Sequence, residues 1–287
     1  MYAVRVEADT VFNDRRITTI VATYPRIIHS EILTHRAFCR NASSSRAIPA
    51  KRLIREVEET PFVPLSWGLD QRGMVMADKE ADGMACHNLW MQARDQAVIA
   101  AKSLSSDQKI HKSIVNRLLE PFSWIRVVIT ATEWANFFRL RIHPDADPHI
   151  NKIAQMMLDA MQESKPEEQP LHLPFLLEKE QESALLNYLR YGIDAERLTM
   201  LAKVCAARCA RISYLTHDGQ QERSLDLALA DRLMTGSGFG HWSPFEHFAL
   251  AYVGTSTNCP YRGWKSFRSR QTNENLTGHI KEYRDAG

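Results

Sequence analysis

Residues 16–49 read RITTIVATYPRIIHSEILTHRAFCRNASSSRAIP, and three textures follow one another in that stretch. RITTIVATYP is β-branched and stops at Pro25, as a strand does. Pro25 then suits the first turn of a helix, PRIIHSEILTHRAF, with Ile28, Ile32 and His35 along one side. From Thr34 to Pro49 the chain gathers His35, Arg36, Arg40 and Arg46 around Asn41 and Ser43-Ser44-Ser45, with little apolar material to build a core. This stretch therefore predicts a strand, then a helix, then an irregular, basic and hydroxyl-rich loop leaving that helix.

Working outward, residues 2–7 alternate apolar and polar, the period of a half-buried strand. Residues 82–104 and 108–119 read as helices. A further helix runs from Asp147 to Gln162, with Ile150, Ile153, Ala154, Met157, Leu158 and Met161 as its apolar stripe. Between them, FSWIRVVITATEWANFFRLR (122–141) is rich in β-branched and aromatic residues and predicts a buried segment. ESKPEEQP (163–170) is charged and proline-bearing, the composition of a linker between two halves of one unit spanning 1–287. Helices are expected again at 178–192, 195–214 and around 224–234. In GHWSPFEHF (240–248), Ser243 followed by Pro244 looks like a capped helix start.

Composition excludes several functions. The chain has 287 residues, 44% hydrophobic and 24% charged, with a net charge of +2. That balance gives no general affinity for nucleic acid, so any anion binding must come from local clusters. Aromatics near the basic loop are few, which argues against base stacking along a strand of nucleic acid. No apolar run approaches the ~20 residues of a membrane span, and the first residues lack a signal peptide's pattern. Five cysteines, an odd number, read as reduced thiols of a cytoplasmic protein. Cys205 and Cys209 lie four apart in KVCAARCARI, but no second Cys/His pair with zinc spacing stands nearby, so they read as a packing face and no metal is expected.

Two arginine sets bear on chemistry. Hydroxyls and backbone N–H groups flanked by Arg36, Arg40 and Arg46 suit phosphate. Arg117, Arg139 and Arg141 form a second set beside Asn136, within an apolar stretch where an arginine must meet an anion or a carboxylate. The external partner would be a phosphorylated small molecule or a dinucleotide cofactor. The internal alternative pairs these arginines with Glu31, Glu120 and Glu133.

Together these pieces resemble the flavin-dependent thymidylate synthases. That family carries Arg-His-Arg, two residues, Ser, one residue, Asn-Glu, one residue, Ser, one residue, Arg. THRAFCRNASSSR keeps His35, Arg36, Asn41, Ser44 and Arg46 at that spacing. RLLEP (Arg117–Pro121), NFFRLR (Asn136–Arg141) and GHWSPFEH (Gly240–His247) match three further family elements. The order departs from the family's: the Glu-His segment lies about 200 residues after the signature rather than before it. GWKSFRSRQTNENLTG near the C-terminus looks like a degraded second copy, with Ser269 where histidine would stand. A rearranged or partly duplicated relative, of a kind met among phage-encoded proteins, accounts for both features. Within the signature, Thr34, Cys39 and Ala42 replace Arg, Ser and Glu, and Glu31 stands where the family has glutamine. The family's Asn-x-Arg before the Asn-Phe element is replaced by TATEW (130–134).

The resemblance implies an α+β fold with a mixed sheet and long helices, a homotetramer with active sites at subunit interfaces, FAD reduced by NADPH, and 5,10-methylenetetrahydrofolate as one-carbon donor. It places Ser44, Ser45, Arg46, Arg117 and Arg141 on a pyrimidine deoxynucleotide monophosphate, with Ser44, Arg46 and Arg141 at the reacting base. It places His35, Arg36, Asn41, Asn136 and His247 along the flavin. Cys39 occupies a position that is a non-nucleophilic serine in the family. The implied reaction is reductive methylation of dUMP to dTMP. The altered Glu and Gln positions keep a dCMP methylase or hydroxymethylase open, and a non-catalytic nucleotide-binding relative is the farther alternative.

Overall fold

The computed structural model describes residues 1–75, 79–192, 194–214, 222–235, 240–253 and 260–270. Strands β1 (Ala3–Phe12) and β2 (Arg15–Pro25) form a hairpin. Asn13 and Asp14 make its turn, both at positive φ (48° and 59°), the conformation that matches the right-handed twist of paired strands. A 3-10 turn, Arg26–Ile28, leads into helix α1 (His29–Leu33). Strand β3 (Cys39–Ala42), helix α2 (Ala50–Glu59), helix α3 (Gly83–Ser106) and helix α4 (Lys112–Val115) follow. A second 3-10 segment, Asn116–Phe122, precedes strand β4 (Trp124–Ala131), helix α5 (Ala135–Arg141) and helix α6 (Pro148–Glu163). The short strands β5 (Glu167–Glu168) and β6 (Leu171–His172) come next. Helices α7 (Glu178–Tyr191), α8 (Ala195–Tyr214) and α9 (Arg223–Thr235) form the C-terminal helical layer. Strands β7 (Ala249–Ala251) and β8 (Trp264–Ser266) follow, and a 3-10 turn, Arg268–Arg270, closes the described chain.

The main sheet has the order β3-β4-β2-β1-β5, antiparallel except for the parallel β1–β5 pair. It is a mixed sheet with long helices, an α+β architecture. A three-stranded sheet, β6-β7-β8, stands beside it. β2 is buried on both faces, which is why ITTIVATY lacks the polar alternation of a solvated strand. Ile20, Ala22 and Tyr24 face the α6 stripe of Ile150, Ile153, Ala154 and Met157, all fully buried. Val21 and Val128 face Cys209 and Ile212 of α8 on the other side. Burial of each large aliphatic side chain there stabilises by about 1.5–3 kcal/mol. The sheet is thus fixed between two helical layers, and the loop after α1 emerges at its β3 edge.

Several expectations need correction. The helix expected over 25–38 ends at Leu33, because Arg40 turns back and donates to the carbonyls of Ile32, Leu33 and His35 at 2.9–3.2 Å, satisfying its last acceptors. The loop expected from Cys39 begins as β3, since Cys39 and Asn41 are buried against β4 and ladder bonds outweigh local polarity. Residues 108–119 hold only the four-residue α4 before the 3-10 segment containing Pro121. The buried stretch 122–141 is buried through β4, but α5 exposes Asn136, Arg139 and Leu140. Within 163–170, Glu167 and Glu168 pair with Thr10 and Val11 of β1. Ser243 does not cap its 3-10 helix, Ser243–Glu246; its hydroxyl is used elsewhere. Cys205 and Cys209 are buried among alanines, and burial pushes both thiols up. Cys259 and the part of the C-terminal copy beyond Arg270 lie outside the described residues. Among the described residues no helix is long and apolar enough to cross a membrane, and no group of three His, Cys, Asp or Glu side chains is placed to hold a metal.

Candidate functional site

The signature segment folds into three neighbouring contacts. At the end of α1, Arg141 from α5 donates Nη1 to Glu31 Oε2 at 3.0 Å, Nε to His35 Nε2 at 3.1 Å and Nη2 to Thr34 Oγ1 at 3.4 Å. His35 Nε2 therefore accepts, which puts the imidazole proton on Nδ1. Burial, then the cations of Arg141 and Arg40, lower the His35 pKa and keep the ring neutral. The Glu31 carboxyl sits above its ordinary range, because burial and Asp147 outweigh Arg141. The His35 ring lies edge-on to Phe137 at 4.9 Å. Arg36, on the same turn, is exposed.

In the second contact the serine run crosses behind the 3-10 segment 116–122. Ser45 Oγ donates to Glu120 Oε1 at 2.5 Å, and buried Asn116 donates to the carbonyls of Ser45 and Ile48 at 2.7 and 2.9 Å. Ser44 is half-buried, and Arg46 and Arg117 project into solvent. Glu120 thus meets a serine, and Glu31 takes Arg141, so among the described residues internal pairing answers for Arg141 but not for Arg46 or Arg117. Glu133 lies 3.4 Å from Arg262.

The third contact joins the two ends of the chain. Ser243 Oγ donates to Asn41 Oδ1 at 3.1 Å, and Asn41 Nδ2 donates to the Cys209 carbonyl at 3.4 Å. Those residues come from β3, α8 and the Gly240–His247 segment, 202 positions from Asn41 in the case of Ser243. Glu246 is held by Arg268 at 2.6 Å, and its carbonyl accepts from the Tyr261 hydroxyl at 2.9 Å.

His247 is fully buried, not surface-lining. Its Nδ1 lies 2.7 Å from Thr130 Oγ1, which lies 2.6 Å from Thr19 Oγ1. Thr19 is 2.7 Å from His172 Nε2, whose Nδ1 is 2.9 Å from Thr10 Oγ1. This Thr10–His172–Thr19–Thr130–His247 chain crosses from one sheet to the other. Burial lowers both imidazoles to about 3, and for His247 the second histidine adds to the effect. Both rings are neutral at neutral pH. His247 Nε2 has no partner among the described residues. Sequence reading missed this chain: threonines are ordinary strand residues, and only their shared sheet face, set by the Thr19–Thr130 register, brings them together. Cys39 is buried beside Ile17, Ala249, Tyr261 and Trp264. A separate cavity of about 720 Å³ lies between α7 and α8, and Tyr188, Arg197 and Arg223 are among its lining residues.

No protein-family model matches the chain, and no curated protein matches it. Among solved structures it is similar to a UMP/dUMP methylase, PolB, from Streptomyces cacaoi, bound with 5-Br dUMP. That alignment has 14% identity over 56% of this chain and 90% of the other, at a TM-score of 0.46. The same enzyme bound with 5-Br UMP aligns at 15% identity over 56% and 88%, again at 0.46. Thymidylate Synthase X from Helicobacter pylori, with FAD and dUMP, aligns at 15% identity over 61% and 74%, at 0.33.

Proposed function

We propose that this protein transfers a one-carbon unit to C5 of a pyrimidine deoxynucleotide monophosphate, with dUMP as substrate and dTMP as product. The observation that carries the reading is the Asn41–Ser243 hydrogen bond. It brings together two motifs that the chain keeps 202 residues apart, and whose order in sequence departs from that of the family they resemble. Their proximity in the fold is what a shared site requires.

The residue roles follow from exposure and charge. Arg46 and Arg117 are exposed and, among the described residues, not taken up by an internal carboxylate, so they hold the nucleotide phosphate with half-buried Ser44, while buried Ser45, its hydroxyl given to Glu120, fixes the loop behind them. Arg141 is already engaged, and it acts at the base by fixing His35 and Glu31. The exposed Arg36 and Asn136 fit a flavin at the outer face of α1 and α5, where neutral His35 supports the wall from behind. Asn41 and His247, both buried, position that wall rather than forming its surface. When bound, FAD, reduced by NADPH, would supply the redox chemistry, with 5,10-methylenetetrahydrofolate as carbon source. The chain's own contribution is orientation and anion holding. No exposed side chain among these residues is a ready base at neutral pH. The two nearest imidazoles, His35 and His247, have their pKa lowered by burial and so take up a proton reluctantly, leaving C5 to be activated by placement.

Purified protein tests this reading: it should take up FAD with visible flavin absorbance, and Arg36→Ala and Asn136→Ala should each weaken that uptake. A protein that fails to quench FAD fluorescence overturns the reading in favour of a non-catalytic nucleotide binder. Turnover of dCMP alone, or a hydroxymethyl product, replaces the substrate and product while keeping the site.

A further inference from the structure

Behind the serine run, on the sheet face that α8 covers further along, lies a cavity of about 190 Å³ between β2, β4 and α2. Arg126, Thr23, Ser43, Ser123, Arg52 and Glu56 are among its lining residues, with Trp124 and Leu53 as apolar wall. Arg126 and Thr23 are register partners on β4 and β2, so both point into it from the sheet. None of the residues assigned above to nucleotide or flavin lines this space, except through Ser43, the neighbour of Ser44.

The charges do not balance. Arg52 is taken by Glu56 at 2.9 Å and Arg5 by Glu7 at 2.8 Å. Arg126 is half-buried, and its guanidinium makes no hydrogen bond or ion pair among the described residues. Arg26, directly behind the wall, donates only to Ser123 Oγ at 3.2 Å and to the Ser43 carbonyl at 3.3 Å. Burial first, then the neighbouring cations Arg5 and Arg52, press the Arg126 pKa down, while Glu56 relieves it in part. A cation withdrawn from water beside like charges is costly unless an anion meets it. Ser43 Oγ accepts from the Arg126 N–H at 3.2 Å and still has its own hydrogen to give. The Thr23 hydroxyl donates to nothing among the described residues.

We propose that this cavity is a phosphate subsite, in which Arg126 forks onto the anion and Ser43 and Thr23 donate to its remaining oxygens. Donors arrive from two strands of the sheet and from the loop, a spread that a tetrahedral phosphate satisfies and a planar carboxylate does not. The volume is below that of a whole-ligand pocket, so the site takes a phosphate group and not a cofactor. Inorganic phosphate and the phosphate end of a small phosphomonoester share this chemistry.

The test is calorimetric titration of the full chain with inorganic phosphate, and separately with ribose 5-phosphate, at constant ionic strength in chloride. Wild type should bind saturably. Arg126→Met should weaken binding by about tenfold or more, and Ser43→Ala by a few fold, in line with lost charge-assisted and neutral hydrogen bonds. Arg46→Ala, which removes the proposed nucleotide contact, should leave the Arg126-dependent phosphate binding in place. Should Arg126→Met fail to fold, judged by circular dichroism, Arg126→Lys serves instead: it keeps the charge, loses the fork, and should still bind about fivefold more weakly. Tighter binding of ribose 5-phosphate assigns the site to phosphomonoesters, and equal binding assigns it to the free ion. The proposal is overturned if wild type shows no saturable binding, if the Arg126 variant that folds binds like wild type, or if binding is lost in Arg46→Ala alone. That last outcome leaves the nucleotide reading intact.

Discussion

Arg208 and Arg126 are both arginines withdrawn from solvent, yet the molecule treats them in opposite ways. Arg208, on α8, is 1% exposed and meets Glu180 at 2.6 Å, Asp226 at 2.9 Å and the Phe175 carbonyl at 3.0 Å. Arg211 joins it on Asp226. Burial pushes Glu180 upward, but hydrogen bonds from Arg208 and the Leu177 N–H outweigh it, and the carboxyl rests below its ordinary value. Arg126 has no such partner. An arginine whose carboxylates come from its own chain is a structural bolt. One whose neighbours are hydroxyls, other arginines and a carboxylate already paired with Arg52 marks a place where the counter-charge is expected from outside.

The largest effect should come from breaking the closed set. Arg208→Met leaves Asp226, fully buried, without its main partner and should cost about 3–5 kcal/mol by urea denaturation. A loss below about 1 kcal/mol would mean that Arg211 and water compensate and that the two arginine classes do not differ.

Next comes pH. His172 and His247 have folded pKa values of about 3, far below the ordinary 6.5. Below 6.5 the unfolded chain takes up protons that the folded rings refuse, so stability is full above that pH and falls as pH drops toward 3. Each histidine should remove about 2 kcal/mol between pH 6.5 and 4.5. The slope should shrink in His172→Gln, measured by denaturation at a series of pH values; an unchanged slope contradicts the neutral chain.

Among the exposed or shared arginines, Arg46→Ala and Arg117→Ala should each weaken nucleotide binding by roughly 1.5–3 kcal/mol while moving stability by less than about 0.5 kcal/mol. Arg141→Ala should do both, losing nucleotide affinity and roughly 1–2 kcal/mol of stability, because it frees Glu31 and His35. Titration calorimetry and denaturation on the same variants separate the two behaviours. Smallest of all, Lys102→Ala breaks the exposed Lys102–Glu58 pair at 2.5 Å and should cost under about 1 kcal/mol.

Much of this was legible in sequence where one local signal sufficed. The α6 helix follows from its apolar stripe and the β2 run from its β-branched residues ending at Pro25, and the helices expected at 178–192 and 195–214 are α7 and α8. Asp147 caps α6 through the His149 and Ile150 N–H groups, at the residue where the helix was expected to begin. What was not legible depends on partners distant in sequence. β3 is a strand because β4 lies beside it, α1 stops at Leu33 because Arg40 folds back, and Ser243 serves Asn41 instead of its own helix. The His35–Arg141 contact and the threonine–histidine chain likewise arise only once the sheet register is set. Arg126 was hidden for a related reason: within SWIRVVIT it reads as one polar residue of a strand, and its lack of a carboxylate is visible only in three dimensions.

The central claim is one-carbon transfer to C5 of a pyrimidine nucleotide, and product mass tests it most directly. The protein would be incubated with FAD, NADPH, 5,10-methylenetetrahydrofolate and dUMP, and the nucleotide then weighed. The account predicts dUMP heavier by one methyl in place of hydrogen, with the gain lost in Arg46→Ala. Unchanged nucleotide from a protein that has bound both FAD and dUMP would contradict it.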